Sequence, residues 1–121
     1  MSVSTAAMTA ATQTKTKSGT FTVGKKTYSY GGDLRASYTQ ATASASSGFN
    51  MNLIVRVEVT AEYGTETLTN HASDAILSKS ASVTVNNTFT TSLGYQVGPN
   101  ISKAVGTYGI GAIDYFNLEI N

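Results

Sequence analysis

The chain has 121 residues, 40% hydrophobic and 12% charged, with eight Lys plus Arg against seven Asp plus Glu and no Cys. A balance this near neutral supplies no basic field for gripping nucleic acid, and the lack of Cys excludes disulfide staples, thiolate nucleophiles and zinc ribbons. The charged share is about half the usual one, and Ser and Thr fill the gap. Because the branched β-carbon of Thr favours extended backbone, composition predicts an all-β domain.

In chain order, the opening MSVSTAAMTAATQTKTKSG has no aromatic residue and no charge before Lys15. It lacks the basic start and unbroken apolar run of a secretory signal, so none is expected, and no stretch approaches the ~18 apolar residues of a membrane helix. Lys15, Lys17, Lys25 and Lys26 read as a solvated edge that discourages strand pairing. Thr20–Val23 and Lys26–Tyr30 flank Gly24-Lys25, a two-residue hairpin turn, and Gly31-Gly32-Asp33 is expected to end that pair. Leu34, Ala36 and Tyr38 then alternate with polar residues, and Ala41, Ala43 and Ala45 continue the pattern.

The best-specified element is NMNLIVRVEVTAEYG, residues 50–64. Met51, Leu53, Val55, Val57, Val59, Ala61 and Tyr63 form one face, and Asn52, Ile54, Arg56, Glu58, Thr60 and Glu62 the other, as period-2 geometry requires. At ~3.3 Å per residue it spans ~40 Å, long enough to bend midway or to serve two sheets. TETLTNH reads as a return strand with Leu68 inward. ASDAILSKSA, with Ala72, Ala75, Ile76 and Lys79 at helical spacing, reads as a loop with one helical turn. Strands follow with Ala81, Val83 and Val85 inward, then Leu93, Tyr95 and Val97, and finally Phe116, Leu118 and Ile120. Short strands at about 8–12-residue spacing predict a single-domain β-sandwich over 19–121, jelly-roll or Greek-key-like, with about seven to nine strands. Residues 1–18 are read as an extended N-terminal arm.

No catalytic constellation emerges. His71 and Asp74 have Ser residues within reach of a paper triad, but no G-x-S-x-G elbow presents a nucleophile. Glu58 and Glu62, four residues apart on a strand, stand ~13 Å apart, wider than the ~5–9.5 Å of paired glycosidase carboxylates. Arg56 is expected to pair across strands. Glu62 and Glu66, facing each other at a hairpin tip, would be the place for Ca²⁺, but no EF-hand spacing accompanies them. Gly106, Gly109 and Gly111 lack the helix a phosphate loop needs and read as turn, bulge or close-approach glycines.

The chain is therefore expected to be a non-enzymatic structural subunit that assembles with copies of itself into a filament, tube or virion, at a cell surface or in a particle. No cofactor or metal is expected. Val3, Thr5, Ala7 and Met8, alternating loosely, would donate a strand to a neighbour's sheet edge. The C-terminal Phe116, Leu118 and Ile120 would add to that contact. The alternative is a monomeric glycan- or surface-binding module using a face of Tyr28, Tyr30 and Tyr38, since Tyr joins an apolar ring to a polar tip. A small secreted β-rich toxin is the third reading.

Overall fold

The computed structural model describes residues 7–121, and Val3 and Thr5 lie outside that range. Eight strands and no helix occur among the described residues: β1 (Gln13–Val23), β2 (Lys26–Ala36), β3 (Gln40–Tyr63), β4 (Glu66–Asn86), β5 (Phe89–Thr90), β6 (Gln96–Val97), β7 (Lys103–Ile110) and β8 (Asp114–Ile120). Two hairpin turns read from the sequence are present. Val23 pairs with Lys26 across Gly24-Lys25, and Tyr63 with Glu66 across Gly64-Thr65. Gly24 and Gly64 sit at φ 63° and 62°, a region that side chains with a β-carbon disfavour.

β3 organises the rest. Its 24 residues merge the Ala41–Ala45 and Met51–Ala61 alternations into one strand. β4 pairs with it along almost its whole length, while β2 and β7 take successive stretches of its other edge, at Ala41–Ser47 and Leu53–Thr60. β1 extends β2, and β8 extends β7. The six long strands thus form one sheet, nearly closed into a barrel, and β5–β6 is a separate small ribbon. The sandwich of two sheets expected from strand spacing is not the arrangement found. Spacing along the chain predicts how many strands there are; it does not say that one strand will bond to three others.

At ~3.3 Å per residue a straight β3 would be ~80 Å long, so it must bend to bury anything. The bend falls at Ser47–Asn50, where four residues of β3 face the single Lys79 of β4. Such an insertion kinks a strand and strengthens its twist. It brings β1–β2 against β7–β8, with the core between. The side chains of Leu53, Val55, Val57, Val59 and Ala61 are fully buried on the inner face, joined by Leu34, Tyr108, Ile110 and Ile120. A leucine or valine buried this completely contributes about 1.5–3 kcal/mol.

The insertion also corrects two readings. An odd excess of residues on β3 reverses the inward phase of β4, from Leu68 and Ala72 on its first half to Ala81, Val83 and Val85 on its second. The broken alternation of ASDAILSKSA is that phase change within a continuous strand, not a helical turn. Gly31-Gly32-Asp33 does not end β2. The strand runs on to Ala36 because Gly32 leaves room for two rings: a β-carbon there would stand 2.8 Å from Tyr108 and 2.9 Å from Phe116.

One end of the barrel is covered by irregular chain. Phe89 and Ile101 are buried there, and Met8 packs against the same cluster. Asn70 Nδ2 donates to the Thr88 carbonyl, and the N–H groups of Ile101 and Tyr38 donate to the carbonyls of Tyr38 and Thr9. Of the described part of the 1–18 arm, residues 7–12 lie outside the strands. Gln13–Ser18 are paired with Gly31–Ala36 of their own sheet.

Candidate assembly surface

The sheet has two borders, and their chemistry differs. At the first, β1 and β8 approach without a backbone ladder and are joined by side chains. Lys17 Nζ lies 3.0 Å from Asp114 Oδ2 and 4.7 Å from the centre of the Phe116 ring. The Tyr30 hydroxyl donates to the same carboxylate oxygen at 2.8 Å. Deeper in, Tyr108 stacks on Phe116 at 4.9 Å and donates its hydroxyl to the Asp33 carbonyl of β2 at 2.7 Å. These bonds hold the Asp114 carboxyl below the usual aspartate range, through the Tyr30 hydroxyl first and Lys17 second. The Tyr30 hydroxyl is pushed up by the same carboxylate, and burial pushes the Tyr108 hydroxyl up strongly.

The second border is β4. It touches only β3 and the short β5, so most of its outer edge meets no other strand among the described residues. Ala75 N–H donates to Asp74 Oδ1, and His71 N–H to Asn70 Oδ1. Both N–H groups are therefore turned away from β3, and by strand alternation so are those of Ser73 and Leu77. This edge also carries apolar side chains: Ile76 is 45% exposed and Leu77 62%. On the outer face Leu77 stands opposite Asn52, and the next row runs Tyr115, Gly109, Ile54, Ala75 across β8, β7, β3 and β4. Ile54 and Tyr115 in that row are exposed. Exposed apolar side chains that adjoin one another on a sheet with an open edge mark a contact surface more strongly than scattered ones do.

The residues singled out from the sequence are distributed as follows. Ala7 is exposed and Met8 half-buried against the core. Phe116 and Ile120 are buried inside their own domain and Leu118 is half-buried, so these three face their own core. Tyr28 and Tyr30 share one face of β2, where both rings pack on Phe21, but Tyr38 lies beyond the end of that strand. Tyr28 stacks on Phe21 and meets the edge of Phe49, Tyr30 points at Asp114, and Tyr38 lies in the β2–β3 connection at the covered end. Arg56 pairs along its own strand with Glu58, at 3.1 Å, rather than across strands. Glu62 and Glu66 are out of register. Glu62 accepts from the Thr67 hydroxyl and Glu66 from the Ser92 N–H. His71 and Asp74 are exposed on β4, opposite Glu58 and Val55. Among the described residues no cluster of three metal-ligating side chains occurs, no cleft is enclosed, and no helix is long and apolar enough to cross a membrane.

No family model, curated protein or solved structure matches the chain. The apolar edge of β4 is hidden in the sequence because the stretch that forms it reads as a loop. One signal was present, in that Ile54 interrupts an otherwise polar row.

Proposed function

We propose that this chain is a structural subunit that assembles with copies of itself into a filament, tube or particle. The observation that carries the reading is the border of β4, where the outward backbone groups meet no further strand among the described residues, Ile76 is exposed, and Leu77 adjoins the exposed Ile54–Tyr115 row on the outer face. An open strand edge with apolar neighbours is a template for another strand. The near-neutral charge of +1 puts little repulsion between copies. In this reading the opening residues, through Ala7, add a second contact by reaching a neighbour from the covered end of the barrel. Two different contacts per subunit are what an extended polymer requires, because a single two-fold contact closes on itself.

Size-exclusion chromatography with light scattering, followed by negative-stain electron microscopy of the full chain, tests the proposal. Species well above 12.6 kDa that resolve into regular filaments, tubes or shells are expected. A monomer that persists at millimolar concentration would sink it. Removing residues 1–7 is expected to halt growth beyond small oligomers while leaving the β-rich circular dichroism unchanged.

A further inference from the structure

Resting on the self-assembly reading, we infer that the middle of β4, Ala72–Ser80, pairs antiparallel with the same stretch of a second copy about a two-fold axis at Ile76. The segment is complementary to itself in this register and in no neighbouring one. A two-fold axis perpendicular to the joined sheet keeps inner faces with inner faces, so it must pass through a residue pair rather than between residues. Centred on Ile76, Ala75 meets the partner's Leu77, Leu77 meets the partner's Ala75, and Ile76 meets the partner's Ile76. Asp74 faces the partner's Ser78, Ser73 faces the partner's Lys79, and no like charges oppose each other. Moving the centre to Ala75 sets Asp74 against the partner's Ile76. Moving it to Leu77 sets Ile76 against the partner's Ser78 and Ala75 against the partner's Lys79.

The backbone agrees with this centre. The outward N–H groups are those of Ala75 and, by alternation, Ser73 and Leu77. Residues 75 and 77 would therefore exchange both of their N–H···O bonds with residues 77 and 75 of the partner, and Ile76 would form a non-hydrogen-bonded pair. The Asp74 carboxylate, which holds the Ala75 N–H at 2.9 Å, must swing off as the partner's Leu77 carbonyl takes its place. On the outer face the row Tyr115, Gly109, Ile54, Ala75 then continues into the partner's Leu77, covering the most exposed apolar side chain of the edge.

The absence of Cys makes the register directly measurable. In a non-hydrogen-bonded antiparallel pair the Cα atoms stand ~4.5 Å apart, within the range a disulfide spans. Full-length Ile76→Cys, oxidised with copper phenanthroline, is expected to give a covalent dimer of about twice 12.6 kDa on non-reducing electrophoresis. Thr69→Cys, exposed on the same strand but opposite the partner's Val83 in this register, is expected to give at least about tenfold less. Ile76 is exposed enough that the substitution leaves the core intact. Equal cross-linking at the two positions, or none at residue 76, in protein that still assembles by light scattering would overturn this pairing and leave self-assembly standing. A protein that is monomeric and uncross-linked throughout would overturn both.

Discussion

The two borders of the sheet meet the same problem in different ways. Where β1 and β8 end the sheet on one side, Lys17, Tyr30, Asp114, Tyr108 and Phe116 knit the gap with an ion pair, two hydroxyl donors and a stacked pair of rings. Where β4 ends it on the other, short side chains fold back on their own backbone, Asn70 on His71 and Asp74 on Ala75. An edge N–H bonded to its neighbour's side chain is satisfied but easily released, because both groups remain open to water. The closed border is held by its own side chains, and the open one meets no other strand along most of its length among the described residues. That contrast holds although β4 is the longest partner of β3, whose inner row runs through the core.

The sharpest way to break the closed border is to fill the space beneath its rings. Gly32→Val would drive a branched side chain into Tyr108 and Phe116, which already stand within 3 Å of where a β-carbon would be placed. Overpacking of this kind costs about 1–3 kcal/mol or somewhat more, readable as a lower urea midpoint with an unchanged slope. A smaller loss is expected for Tyr108→Phe. It keeps the stacked ring and removes only the hydroxyl that satisfies the Asp33 carbonyl, for about 1–2 kcal/mol. If Tyr108→Phe proved as costly as Gly32→Val, the hydrogen bond rather than ring packing would be holding the border.

How much of this was legible depends on the range of the interaction. The inner row of β3 from Leu53 to Ala61, the Gly24 and Gly64 turns, and the inward Phe116–Leu118–Ile120 row follow from alternation and turn chemistry within a few residues. Gly32 was misread because a glycine looks like punctuation until the rings that need its space are known, and those rings lie some 80 residues away in the chain. The Ala72–Ala81 stretch was misread because its inward phase is set by an insertion in β3, its partner. Half of that information lies on another strand. Of the candidate surface, Ile54 alone was visible, as an apolar residue in a polar row. Parity places Tyr28 and Tyr30 on one face of β2, where both pack on Phe21, and fails for Tyr38 because the strand ends at Ala36.

Acid separates the borders in another way. The Asp114 carboxyl is held below the ordinary aspartate range by Tyr30 and Lys17, so the unfolded chain takes up this proton before the folded one does. Its contribution is present above about pH 4 and is lost as pH falls through the depressed folded value. Glu66, lowered by its bonds from Ser92, adds a second acid-sensitive group. The thermal midpoint of the wild type should therefore drop on acidification. Its lead over Asp114→Asn should narrow across the same window, which isolates Asp114 from Glu66. A lead independent of pH would mean that the ion pair does not hold β1 to β8.

The smallest effect on stability is expected at the open border, and its smallness is what makes it informative. Leu77 is the most exposed apolar side chain on β4, and truncating it leaves no cavity. Leu77→Ser should change unfolding free energy by no more than about 0.5 kcal/mol, as for other surface positions. The same substitution removes the side chain that would lie against the partner's Ala75 and Ile54, so association should weaken while the subunit stays folded. A stability loss above about 1 kcal/mol would show that Leu77 is packed within its own subunit. Unchanged stability with unchanged assembly would move the contact away from β4. Only when folding and association respond separately to Leu77 does the open border belong to the assembly rather than to the fold.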